Sequence, residues 1–169
     1  DCQHLGGAVD ETSAEKAGQF ISICNEHNLP IVSLADTPGF MVGVDSEREG
    51  AVRKMGSLFN AGANISVPLV AIFLRKGYGL GAMAMVGGSF YIPIFTASWP
   101  TGEFGGMGLE GAVKLGYKKE LEAVEDENER EELFNKLVQK MYDAGKALEA
   151  ATQLELSLIH ISEPTRQSL

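Results

Sequence analysis

Residues 67–88 read VPLVAIFLRKGYGLGAMAMVGG. The run Val70 to Leu74 is apolar at consecutive positions, as in a strand buried on both faces of a parallel sheet. Glycines follow at Gly77, Gly79 and Gly81. A short apolar helix is expected from about Gly81 to Val86, stopped by Gly87-Gly88. The first N–H groups of a helix have no partner within it. A strand that turns through glycines into a helix therefore aims several free N–H groups at one spot, which can hold an oxyanion without a charged side chain.

Upstream, Thr12-Ser13-Ala14-Glu15 has the form of a capping box. Ala17, Phe20, Ile21 and Cys24 then recur at helical spacing to about His27, and Leu29-Pro30 ends that helix. IVSLA, residues 31–35, reads as a second strand with both faces covered, followed by the turn Asp36-Thr37-Pro38-Gly39. Ser46-Glu47-Arg48-Glu49 is a second capping box. It opens a helix to about Ala63, with Val52, Met55, Leu58 and Phe59 on one face. Downstream, FYIPIF (90–95) and TASW (96–99) read as short strands, the first bent or at an edge because of Pro93. Gly108 to Leu115 reads as a helix. Asp126 to Ala150 reads as one long amphipathic helix burying Leu133, Leu137, Met141, Ala144 and Leu148. No internal repeat is present. The alternation of helix and strand predicts an α/β fold with right-handed crossovers.

The chain has 169 residues, the length of one ordinary domain, and 44% of them are apolar, enough for a packed core. The net charge of −9 argues against nucleic acid or an anionic membrane as partner. The basic residues cluster only as Arg75-Lys76 and Lys118-Lys119. No apolar run approaches the ~20 residues that span a bilayer. Cys2 and Cys24 form no metal pattern and read as reduced thiols.

From about Leu156 the helical period stops. The run LSLIHISEPTR resembles the translation of a widely used sequencing-library adaptor. Residues 156–169 are therefore expected to be non-native, and 1–155 to be a fragment open at both ends. This removes His160 from any catalytic argument, and Glu163 and Arg166 cancel in charge.

Several motifs have competing readings. DTPG after a strand fits the D-x-x-G switch of a GTPase, but no G-x-x-x-x-G-K-[ST] phosphate loop accompanies it. As a turn at a strand end it is a candidate wall of a crevice. Gly79-Leu80-Gly81-Ala82-Met83-Ala84 fits the dinucleotide pattern G-x-G-x-x-A. The helix it opens is too short for a nucleotide-binding βαβ unit, and no acidic residue ends the next strand. His4 and His27 lie near element ends without a Ser or Cys partner. Glu103 and Asp36 are possible site carboxylates; Asp10 and Asp45 read as turn or cap residues. The acidic run Glu120 to Glu132 reads as a solvated face rather than a metal site. Catalysis here would rest on backbone amides, positioning and a cofactor that brings its own base.

GGAVD (6–10), DTPGFMVG (36–43), VPLVAIFLRKGYG (67–79), SWPTGEF (98–104) and MGLEGAV (107–113) together resemble the C-terminal half of the biotin-dependent acyl-CoA carboxyltransferases. That family includes the β subunits of propionyl-CoA and acetyl-CoA carboxylases. The resemblance covers about Leu5 to Glu155. It implies the crotonase-like (Clp protease-like) ββα superhelix. A Clp-type peptidase would need a serine where this chain has Leu80, Gly81 and Met83.

The resemblance implies an acyl-CoA substrate, held mainly by a preceding half from a partner subunit. It implies carboxybiotin on a carrier domain, and a biotin carboxylase to charge it. The biotin oxyanion hole falls at Leu80 and Gly81 beside Gly79, whose N–H groups would bind the ureido oxygen. Ala82, Trp99, Pro100, Thr101, Met107 and Gly108 match segments flanking the cofactor. Met83, with Gly39 and Phe40, matches the acyl side. Many members carry Gly-Gly-Ala where this chain has Gly79-Leu80-Gly81; the backbone donors survive that change. The same steps serve a decarboxylase running in the opposite direction, and a non-catalytic carrier-docking module is the alternative outside enzymology. A homo-oligomer in the cytoplasm, or in the mitochondrial matrix of a eukaryote, follows from the resemblance. So does inactivity of the fragment by itself.

Overall fold

The computed structural model describes residues 3–159. Cys2, His160, Glu163 and Arg166 lie outside the described residues. β1 (Ile31–Thr37), β2 (Leu69–Tyr78), β3 (Phe95–Ser98) and β5 (Ser157–Leu158) form a parallel sheet in the order β1-β2-β3-β5. β4 (Glu103–Gly105) pairs in parallel with the far end of β2. The α/β class and the parallel sheet are as the sequence predicts.

α1 (Glu11–Glu26) is capped two residues before the expected cap, Thr12. Asp10 is the cap: its Oδ1 accepts from the Ser13 N–H at 2.7 Å, and Ser13 Oγ accepts from the Asp10 N–H at 2.9 Å. The overlapping Thr12–Glu15 pattern is left inside the helix. Ser13 lowers the Asp10 carboxyl pKa, through its side chain first and its backbone N–H second, and His4 adds a smaller pull. Such a cap is worth about 1 kcal/mol. A lowered folded-state value means the contribution is present above the ordinary 3.8 and is lost as pH falls through the folded value. Asp10→Ala should therefore lower the urea midpoint at neutral pH, and the gap to wild type should close in acid.

The second capping box is not used either. Ser46 instead donates its hydroxyl to the buried Glu11 carboxylate. The expected helix divides at Gly50 into α2 (Val44–Arg48) and α3 (Ala51–Ala63). Met55 and Leu58 are buried as expected, while Val52 is exposed.

β1 is covered on one face only. Ile31, Ser33, Ala35 and Thr37 are buried, while Val32 and Leu34 are 63% and 56% exposed. α1 and α4 (Gly79–Met85) pack on the first face, so the expectation of two covered faces fails here. FYIPIF is not a strand. Residues 90–94 are turns, tied by Ile92 N–H to Ser89 O and by the Thr96 hydroxyl to Phe90 O. Pro93, with no N–H to give a ladder, explains the difference. α5 (Leu109–Gly116) and α6 (Lys118–Glu122) follow.

The long C-terminal helix is two helices, α7 (Glu127–Ala144) and α8 (Ala147–Thr152). Gly145 O accepts from the Phe104 N–H at 2.6 Å, and Lys146 bridges Glu103. β4 thus docks in the gap between the helices. Leu133, Leu137 and Met141 are half-buried, but Ala144 and Leu148 are exposed, which corrects the expected buried stripe. Past residue 155, Leu156 is buried and Ser157–Leu158 lies beside β3. Among the described residues, no helix is long and apolar enough to cross a membrane.

Candidate active site

Three backbone segments meet where β2 ends. β2 bulges opposite β1: Ala35 faces Phe73, but Thr37 faces Gly77. A bulge re-aims the chain that follows it. Asp36 fastens this one, its Oδ1 accepting from the Lys76 N–H at 3.1 Å and from Arg75 Nε at 3.2 Å. This candidate site carboxylate is thereby engaged in structure. The turn that follows is fastened too. Thr37 Oγ1 accepts from the Gly39 N–H at 3.1 Å, and Gly39 O accepts from the Val9 N–H at 3.0 Å.

α4 starts against that turn. A Cβ on Gly81 would lie 2.7 Å from the Gly39 carbonyl carbon and 3.0 Å from Phe40 N. Gly79 has φ +59°, and a Cβ there would lie 2.8 Å from Gly106 O. Glycines alone let the opening of α4 fit between the Asp36–Gly39 turn and the loop after β4. Tyr78, the cap residue, makes no side-chain cap bond. Among the described residues, no side chain and no loop carbonyl accepts from the N–H groups of Leu80 and Gly81. With only seven residues in α4 the helix dipole is short, so at this helix end the local donors matter more than the dipole.

A groove of about 420 Å³ opens beside Leu80, while Gly81 is buried next to it and outside the lining. Gly79, Leu80 and Met83 line it, with Phe90, Phe104 and Lys146. Phe73, Phe90 and Phe104 stack edge to face, with ring centroids 4.9 to 6.1 Å apart, which fixes the aromatic lining. Leu80 is 63% exposed and reaches into the groove mouth. Lys146 Nζ lies 2.6 Å from Asp143 Oδ1. That bond raises the lysine's pKa and lowers the aspartate's. A larger hollow of about 790 Å³ between α1 and α3 holds none of the candidate residues. Its lining adds the carboxylates of Glu15 and Glu26 to Asn, Gln and Ser side chains, which disfavours an oxyanion, so chemistry rather than size places the site.

The other candidates are dispersed around this centre. Ala82 is fully buried against Ala35, Ala71, Phe73 and Val86. Gly39 backs Gly81, while the Phe40 ring turns away onto Phe59 at 6.1 Å. Trp99, Pro100 and Thr101 form the turn leaving β3, with the Trp99 N–H donating to Phe73 O. Met107 is exposed and Gly108 caps α5. None of these five lines the groove. His4 is within 3.8 Å of Asp10, and His27 caps the end of α1. Glu103 accepts the Tyr78 hydroxyl at 2.7 Å.

Sequence reasoning missed Phe90, Phe104 and the wall at Gly145-Lys146. Gly145 inside a helical pattern was the available signal, since glycine ends helices. The resulting site has hydrogen-bond donors for a developing oxyanion beside an apolar lining. The low dielectric of such a lining strengthens those donors.

A family model for the carboxyl transferase domain matches residues 2–163. The chain is 38% identical over 124 residues to a propionyl-CoA carboxylase carboxyltransferase subunit of Haloferax mediterranei, covering 73% of this chain and 24% of that protein. Among solved structures, a single-chain, multi-domain long-chain acyl-CoA carboxylase matches with TM-score 0.82 and 56% identity, over 95% of this chain and 16% of that one. The transcarboxylase 12S subunit, a hexamer with methylmalonyl-CoA bound, matches with TM-score 0.83 and 28% identity, over 94% and 30%. The chain thus spans about a quarter of the length of the curated relatives it matches. Its fold is the crotonase-like fold of those carboxyltransferases, and the chain belongs to the carboxyl transferase domain family.

Proposed function

We propose that this chain is the C-terminal half of the carboxyltransferase component of a biotin-dependent acyl-CoA carboxylase. The component moves CO2 from carboxybiotin to the α-carbon of an acyl-CoA. The observation that carries the reading is the crowding of three backbone segments around the Leu80 and Gly81 N–H groups, which no side chain or loop carbonyl engages among the described residues. A neutral ureido carbonyl that gains negative charge suits two neutral donors better than it suits a lysine, which would also bind the resting state tightly.

Leu80 and Gly81, with Gly79 and Ala82 beside them, would hold biotin through its ureido oxygen. Trp99, Pro100, Thr101, Met107 and Gly108 would flank the approach. Bound carboxybiotin supplies the carboxyl group and a ureido nitrogen of its own as base. The chain's own residues orient and stabilise: each amide donor is worth roughly 3 kcal/mol to the charged transition state. Met83 and the rings of Phe90 and Phe104 suit an alkyl acyl group, and Gly39 and Phe40 would serve that side through the backbone that abuts Gly81. Likeness to a long-chain acyl-CoA carboxylase supports the same class. The opposite, decarboxylating direction would use the same contacts.

The partners follow from this reading: an N-terminal half that holds the thioester, a biotin carboxyl carrier, a biotin carboxylase and further copies of the chain. The hexamer of the transcarboxylase 12S subunit supports the last. Cytoplasm, or mitochondrial matrix in a eukaryote, is the matching compartment. We also propose that the native unit ends near residue 155 and that 156–169 are the adaptor-like tail. The change of sequence pattern supports this, and an open sheet edge accepts any extended segment, as Ser157–Leu158 does beside β3.

The test is carboxyl exchange. The intact enzyme, built from a genomic reading frame that also settles the tail, should move labelled carboxyl from methylmalonyl-CoA to free biotin. Residues 1–155 alone should not. A correctly assembled enzyme with no exchange would overturn the reading; exchange by the fragment alone would remove the need for the other half.

A further inference from the structure

Tyr78 is the residue from which α4 departs, and it is 3% exposed. Its ring lies across Gly105, its partner in the β2–β4 ladder, where an added Cβ would come within 3.0 Å of the ring edge. The hydroxyl continues past Gly105 to donate to Glu103 Oε2 at 2.7 Å. β4 is in turn bonded to the α7–α8 junction, through the Phe104 N–H to Gly145 O and through the bridge from Glu103 to Lys146. One side-chain bond therefore joins the start of the donor-bearing helix to the strand that carries the other groove wall. We infer that Glu103 is a positioning residue: as acceptor for the buried Tyr78 hydroxyl, it holds the Leu80 and Gly81 amides in register with the groove lined by Phe104 and Lys146.

Burial, then the hydrogen bond to Glu103 and its charge, raise the Tyr78 phenol above its ordinary pKa, so the group remains a donor across the working range. A carboxylate acceptor makes the stronger, charge-assisted form of this bond. Glu103 Oε2 is used here on an internal partner, so the residue acts through Tyr78. Without the bond, β4 and Tyr78 remain joined by the backbone ladder. What is lost is the fixed seat of the ring, and with it the angle at which α4 leaves the strand. Misplacement of a reacting geometry by about 1 Å can cost on the order of 100-fold in rate.

The inference rests on the carboxyltransferase reading, and its test separates the two. In the intact enzyme, Tyr78→Phe and Glu103→Ala should lower kcat for carboxyl transfer by roughly 10- to 100-fold with the KM for acyl-CoA unchanged. Glu103→Gln, which keeps an acceptor oxygen at the same reach, should recover most of that loss. Hydrogen exchange at the bonded amides of the two joined elements, Phe104 to Gly145 O and Val86 to Met83 O, should quicken in Tyr78→Phe and Glu103→Ala but not in Glu103→Gln. This readout needs no activity, so it stands even if the enzyme proves to catalyse another reaction. Unchanged exchange and kcat in folded Tyr78→Phe would overturn the inference. So would a Glu103→Gln enzyme as impaired as Glu103→Ala, which would assign the carboxylate a direct role of its own.

Discussion

Leu80→Pro should lower carboxyl transfer in the intact enzyme by about 100-fold or more, whereas Leu80→Ala should stay within a few-fold of wild type. The two changes separate the amide from the side chain. Position 80 is the second residue of α4, where a proline is tolerated because that N–H has no partner within the helix. The Leu80 side chain is mostly exposed, so its removal costs little packing. Proline deletes the donor, and alanine keeps it while opening the groove mouth. Circular dichroism and the unfolding midpoint of each variant check that the fold persists. Rate loss in Leu80→Pro alone assigns the effect to the N–H group. Equal loss in both would assign it to the side chain, and no loss in a folded proline variant would move the oxyanion site elsewhere.

The fold was legible where one local rule faced no rival. The strand at Val70–Leu74 and the stop at Gly87-Gly88 depend on residues that act locally, and both are present. The caps were less legible because D-x-x-S and T-x-x-E overlap at Asp10–Glu15. Sequence does not rank them, but the Ser46 contact to Glu11, 35 residues away, does. The break at Gly145 has the same origin: β4, some 40 residues upstream, bonds to it, and no helical period records that partner. The exposed Val32 and Leu34 mark a different limit. An apolar run shows that both faces can be buried, not that this stretch of chain supplies both covers. At the site, glycine spacing pointed to Gly79–Gly81. It did not reveal Phe104 and Lys146, which the tertiary fold brings from β4 and from beyond α7.

Gly81→Ala should both destabilise the protein and suppress the reaction, and the geometry says why the two effects arrive together. The new methyl would meet the Gly39 carbonyl carbon at 2.7 Å, its Cα at 2.8 Å and Phe40 N at 3.0 Å. All three are backbone atoms, so no rotamer change relieves the contact. Gly39 is in turn held by Thr37 and Val9, so the turn resists moving. Overpacking of this kind costs roughly 1–3 kcal/mol. The structure can lower that cost only by pushing α4 away from the turn, which carries the Leu80 and Gly81 amides off their aim and costs on the order of 100-fold in rate. Gly56→Ala is the control. It lies inside α3 with nothing within 4 Å of its added Cβ, and it should gain about 0.5–1 kcal/mol from helix propensity with the rate unchanged. Urea unfolding and steady-state exchange on the two variants give the comparison. A Gly81→Ala enzyme as stable and as fast as wild type would mean that α4 and the Asp36–Gly39 turn are not in contact, and the amide site built on that contact would fall with it.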